Sequence, residues 1–130
     1  MIQLRSCLNV IDNTGALLVE CVSLLNNAKT ARVGDEIVVA VTKARAVSDG
    51  TLPSMATSKI RRGDIRRALI VRTKSPVGRL DGRYVRFDDN ACVLLNNQKQ
   101  PLGTRILGLV SADIKTKGWS KVISLAPKII

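Results

Sequence analysis

Arg61-Arg62-Gly63-Asp64-Ile65-Arg66-Arg67-Ala68-Leu69-Ile70-Val71-Arg72-Thr73-Lys74 reads as a tight turn feeding a β-strand with basic ends and an apolar centre. Gly63 and Asp64 tolerate the backbone angles that a tight turn requires. Side chains alternate between the two faces of a strand, so the unbroken apolar run Ala68-Leu69-Ile70-Val71 suits a strand covered on both sides. Residues 59–86 carry ten Lys or Arg and two Asp; ten cations less two carboxylates leaves +8 of the chain's +11. Because a buried strand runs through this charge, the cations are predicted to be fixed around a folded core rather than strung along a tail. A fixed array suits a fixed polyanion. A solvated basic face without a partner is the alternative that charge alone leaves open.

Outward from this strand the chain is a series of short, β-branched segments punctuated by Gly, Asp and Asn. Residues 7–11 and 16–25 read as strands on either side of an Asp12-Asn13-Thr14-Gly15 turn. Residues 36–46 form a third, apolar on both faces from Ile37 to Val41. Val33-Gly34-Asp35 introduces that strand with the same turn residues as Arg62-Gly63-Asp64, which is shared turn chemistry rather than an internal repeat. Towards the C-terminus, Asp81-Gly82 predicts a hairpin between Arg79 and Tyr84. Residues 84–87 and 91–95 read as strands around Asp88-Asp89-Asn90. After Pro101, Gly103, Gly108 and Gly118 break the chain into helical turns near residues 112–117 and 119–125. Many short strands with little helix predict a mainly β fold, a small closed barrel. Residues 47–58 follow neither period and are predicted to be an inserted surface loop within a single domain spanning residues 1–130.

A hydrophobic fraction of 45% supports one globular core, and with Tyr84, Phe87 and Trp119 the only aromatics, that core is aliphatic. The pI near 10.3 points to nucleic acid or an anionic membrane surface. No apolar run approaches the roughly 20 residues of a spanning helix. Gly63, Pro76, Gly78 and Gly82 break any long basic amphipathic helix, which disfavours a membrane partner. Cys7, Cys21 and Cys92 are far apart and the chain has no histidine, so no zinc site is expected. All three are predicted to be buried, reduced thiols in a reducing compartment. No secretory signal or amphipathic presequence is visible at the N-terminus.

Without histidine, a general base would have to be Asp, Glu or Lys. The adjacent carboxylates Asp88 and Asp89 face opposite ways if extended and are ordinary turn material. Gly103-Thr104-Arg105-Ile106-Leu107-Gly108 has the two glycines of a phosphate loop but not the Lys-Ser or Lys-Thr that follows them. An enzyme is not expected; binding remains. Three aromatics are too few for a platform that stacks successive bases. Arginine-rich cations suit a bidentate grip on the phosphates of a structured RNA, recognised by shape and backbone. About six to eight such contacts imply affinity falling with salt at a log–log slope of roughly −5 to −7.

Ala68-Leu69-Ile70-Val71, followed at their spacing by Asp81-Gly82, Phe87, Asn90 and Val93-Leu94, resembles the signature of the large-subunit ribosomal protein fourteen family. The resemblance covers almost the whole chain. It runs through Leu8-Asn9-Val10, Asp12-Asn13-Thr14-Gly15-Ala16, Val33-Gly34-Asp35, Ala91-Cys92-Val93-Leu94-Leu95-Asn96, Gly103-Thr104-Arg105-Ile106 and Ser124-Leu125-Ala126-Pro127. It implies a small five-stranded β-barrel with a β-hairpin extension and a short helical C-terminal region, without catalysis or cofactor. It also implies a structural constituent of the large ribosomal subunit that binds large-subunit rRNA near the intersubunit face. Carried over residue by residue, the rRNA-binding positions are Arg61, Arg62, Arg66, Arg72, Lys74, Arg79, Arg83 and Arg86. Thr104, Arg105 and Lys121 fall where the family faces the small subunit and factors that block subunit joining. The implied partners are large-subunit rRNA, a neighbouring large-subunit protein met through a sheet edge, small-subunit rRNA and a subunit anti-association factor.

Two departures from the family pattern stand out. Leu17 and Leu18 occupy positions where bacterial members usually carry basic residues, and residues 47–58 exceed the compact bacterial connection. Both point to a mitochondrial member working in the mitochondrial matrix, with a divergent bacterial or plastid protein as the alternative. A free-standing RNA-binding regulator that kept the barrel is the alternative function.

Overall fold

A computed structural model of the chain describes residues 2–25, 29–44 and 60–130. Within these residues, β1 (Cys7–Val10), β2 (Ala16–Leu24), β3 (Glu36–Ala44), β4 (Ile65–Arg72) and β7 (Ala91–Leu95) close into a barrel in the order β1-β2-β3-β4-β7. Neighbours are antiparallel except β1 and β7, which close the barrel in parallel through the short register Asn9↔Ala91 and Val10↔Cys92. The mainly β, five-stranded barrel implied by the family resemblance is the fold observed. Residues 47–58, expected to be an inserted loop, lie outside the described residues.

Alternation along β4 sorts its apolar run into two cores. Ala68 and Ile70 point into the barrel, among Leu8, Val19, Ile37, Val39 and Leu94. Leu69 and Val71 point outward, beside Val93 and Leu95 of β7, and are covered by Val110, Ile114 and Val122 of the C-terminal region. The run is buried on both faces because the barrel wall here lies between an interior and a second layer.

That second layer holds its place by docking. The helices Asp113–Thr116 and Ser120–Leu125 are one to two turns long, too short to persist alone. The Trp119 indole N–H donates to Gly34 O at 3.1 Å, and Lys117 Nζ lies 2.7 Å from Asp35 Oδ1. β8 (Leu109–Val110) pairs in parallel with β9 (Lys128–Ile129) near the chain's end. β5 (Val77–Gly78) and β6 (Tyr84–Val85) form the expected hairpin, with Gly82 at φ +88° in its turn.

The two Gly-Asp turns share one build. Gly34 and Gly63 have φ of +88° and +90°, the sign that the third position of a type II turn requires. The Asp35 amide donates to Arg32 O at 3.0 Å, and the Asp64 amide to Arg61 O at 3.1 Å. Each carboxylate then accepts the turn's first N–H, from Arg32 at 2.8 Å and from Arg61 at 2.9 Å. One turn launches β3 and the other β4.

Of the thiols expected to be buried, Cys21 and Cys92 are, and burial pushes both thiol pKa values up. Cys7 is not. It is exposed on β1 opposite Glu20, so a position inside a strand did not guarantee cover.

Candidate nucleic-acid interface

The basic stretch folds into two groups rather than one patch. A strand rises about 3.3 Å per residue, so Arg66 and Arg72, on the same β4, stand about 20 Å apart. Arg61, Arg62 and Arg66 lie in the turn and first residues of β4; Arg72, Lys74, Arg79, Arg83 and Arg86 lie at its end and around the β5–β6 hairpin. Lys74 and Arg86 are brought together there, because the Lys74 amide donates to Asn90 Oδ1 at 2.9 Å and the Phe87 amide to Thr73 O at 3.0 Å.

Partners divide the cations further. Arg61, Arg62, Lys74 and Arg86 are exposed, and no ion pair engages their side chains among the described residues. Arg66 comes no nearer than 3.8 Å to Asp64. Arg83 holds Asp81 at 2.6 Å in open solvent, and its backbone N–H and guanidinium keep the Asp81 carboxyl below its ordinary value. Exposed pairs of this kind are weak and leave the cation free to exchange partners. Arg72 and Arg79 are different. Arg72 is half-buried, with Nη2 at 3.2 Å from Asp89 Oδ2, which also accepts from Asn9 Nδ2 at 3.0 Å. Arg79 donates from Nη2 to Ile130 O at 2.6 Å, with Nε 3.5 Å from Asp113, and so ties the hairpin to the chain's end.

Arg32 joins the second group although it lies outside the basic stretch. The β3–β4 register carries its turn alongside the end of β4, where Arg32, Thr73 and Pro76 line a hollow of about 240 Å³. The signal was present in the paired turns: the residues preceding one strand of an antiparallel pair must lie beside the end of the other.

Thr104 and Arg105 are pinned by one side chain. Asn13 Oδ1 accepts the amides of Thr104 at 2.9 Å and Arg105 at 3.2 Å, while Asn13 Nδ2 donates to Thr104 Oγ1 at 2.9 Å. Gly103 must be glycine for this clamp, since a Cβ there would stand 2.6 Å from Asn13 Oδ1. The Arg105 side chain stays exposed. Lys121 is exposed on the helix Ser120–Leu125, and among the described residues no hydrogen bond or ion pair joins it to Thr104 or Arg105.

Asp12 was not singled out from sequence, and it completes the barrel seam. Its buried carboxylate accepts the Leu94 amide at 3.0 Å, the Thr14 amide at 3.3 Å and the Thr14 hydroxyl at 2.6 Å. Burial pushes its carboxyl up, opposed by these hydrogen bonds. Among the described residues no three His, Cys, Asp or Glu side chains converge as a metal site.

A closed barrel with exposed cations at both ends and a clamped polar loop defines a small, basic β-barrel protein. The family described as ribosomal protein L14p/L23e matches residues 1–130. The large ribosomal subunit protein uL14m of Schizosaccharomyces pombe is 56% identical over 130 residues, the whole of both chains. That of Neurospora crassa is 53% identical over 128 residues, 98% of each. The chain belongs to the ribosomal protein L14p/L23e family. It is a structural protein of the large ribosomal subunit, mitochondrial in type, and not an enzyme.

Proposed function

We propose that the chain anchors itself in large-subunit rRNA through phosphate contacts at both ends of the barrel. Arg61 and Arg62 serve one end; Lys74, Arg83 and Arg86 serve the other. Arg72 and Arg79 hold the second group in position. The observation that carries this reading is the exposure of Arg61, Arg62, Lys74 and Arg86 without an ion pair among the described residues. Cations already neutralised within the fold would release few counterions from RNA; these retain that capacity. Thr104, Arg105 and Lys121 face outward, toward small-subunit rRNA at an intersubunit contact or toward a subunit anti-association factor. A neighbouring large-subunit protein adds to a free edge of one of the two short sheets, β5–β6 or β8–β9.

Replacing Lys74, Arg83 and Arg86 with Gln should weaken binding to large-subunit rRNA and make the log–log salt slope shallower by about 2 to 3. An unchanged slope overturns the phosphate role. For the outward residues, Arg105→Glu with Lys121→Glu should leave large subunits assembled and reduce subunit joining, read by sedimentation. Failure to enter large subunits would make them anchors. Normal joining together with normal factor binding would remove the outward role.

A further inference from the structure

The second layer covers the barrel's outer wall over β4 and β7 but not over β2, β3 and the start of β4. There Val22 and Ile65 are 45% and 61% exposed. The register sets Ile65 against half-buried Ala40 and Arg67 against half-buried Val38, so among the described residues this partly open wall runs across two strands. Val38, Ile65, Leu95 and Leu102 line a groove of about 500 Å³ whose polar lining is Arg66, Arg67, Asn96 and Asn97. Among the described residues no carboxylate and no aromatic ring lines it, and the carboxylate nearest Arg66 is that of Asp64 at 3.8 Å. Glu36 lies behind Arg67, 3.4 Å from its Nη1, and faces a separate hollow of about 190 Å³.

We propose that this groove docks a protein partner, taking an extended segment that lays an aliphatic side chain on Val38, Ile65 and Leu102 and sets a carboxylate against Arg66. The lining has two halves, and the occupant must match both. A sugar-phosphate backbone would satisfy Arg66 but leave the aliphatic floor in water, and no ring is present to stack an unpaired base. A segment bearing both an aliphatic and an acidic residue buries the floor and pairs the cation. Arg66 thereby passes from the rRNA positions of the family to a protein contact. The groove takes residues from both faces of the wall at its rim and is distinct from the sheet edges and the phosphate-binding cations, so it goes beyond the function proposed above.

The experiment uses large subunits from cells whose only copy of the chain carries Ile65→benzoylphenylalanine. Ultraviolet light should join position 65 to one peptide of another protein, at an aliphatic residue beside an Asp or Glu. Adding Arg66→Glu should cut that yield about fivefold or more, the effect of a contact worth roughly 1 kcal/mol, and leave crosslinks from the same reporter at position 84 unchanged. Crosslinks to rRNA, to this chain's own residues, or to a peptide without a nearby carboxylate overturn the proposal. So does a yield indifferent to Arg66→Glu. Asn97→benzoylphenylalanine, exposed at the rim, is the second variant and is judged by the same criteria, so a bulky group blocking position 65 leaves the test intact; no protein crosslink from either position overturns the proposal. Failure of the rRNA reading would show instead as an unchanged salt slope in the Lys74, Arg83 and Arg86 variant while position 65 still crosslinks.

Discussion

The β1–β7 seam contains two residue pairs, and the Leu94 amide beyond them finds its acceptor in Asp12 at 3.0 Å. Asp12→Ala would leave that buried N–H without a partner and should cost about 1–3 kcal/mol, read as a lower urea midpoint at unchanged slope. The same residue gives stability a dependence on pH. Burial raises the Asp12 carboxyl above its unfolded value, so the folded state binds the proton more readily. Its contribution is therefore complete below the ordinary carboxylate range and is lost as pH rises through the raised value. Asp12→Asn removes that titration. The stability difference between the natural protein and Asp12→Asn should move in favour of Asn as pH rises from about 4. A difference that does not change with pH would mean that the hydrogen bonds from Leu94 and Thr14 cancel the effect of burial.

On a single element, β4, one strand carries both covered and bare outer positions. Leu69 is fully buried under the second layer, whereas Ile65 is 61% exposed. Leu69→Ala should cost about 2–5 kcal/mol because its cavity cannot collapse between two packed layers. Ile65→Ala should stay within about 0.5 kcal/mol. Guanidinium unfolding of both variants measures the contrast, and equal losses would mean that the wall is not covered as described. The β5–β6 hairpin gives a second contrast, between its own cations. Arg79→Gln breaks the tie to Ile130 and Asp113 and should lower the melting temperature, whereas Lys74→Gln and Arg86→Gln should leave it nearly unchanged. Calorimetry of the three variants separates cations that hold the fold from those free to bind.

At the scale of the whole molecule, the two cation groups stand about 20 Å apart along β4, more than twice the screening length of about 8 Å at physiological salt. They should therefore act independently. Gln substitutions at Arg61 and Arg62 and at Lys74 and Arg86 should change the free energy of rRNA binding additively, within about 0.5 kcal/mol. Titration of the two double variants and their combination checks this, and strong non-additivity would mean that both ends grip one phosphate run. Strands, turns and the doubly buried run of β4 were legible from the chain, because propensity, alternation and turn geometry act within a few residues. So was the wealth of fixed cations. Which cations remain free was not legible: Arg79 meets Ile130 O, and the related long-range bonds join Lys117 to Asp35 and Leu94 to Asp12. Local pattern alone dictated the elements, their turns and the sign of the surface. Long-range packing settled that the basic stretch would split between two ends, that Arg32 would join one of them, that Cys7 would be bare and that Arg72 and Arg79 would turn inward. A side chain's partner is set by what the folded chain brings within about 4 Å of it, and those neighbours come from distant parts of the sequence.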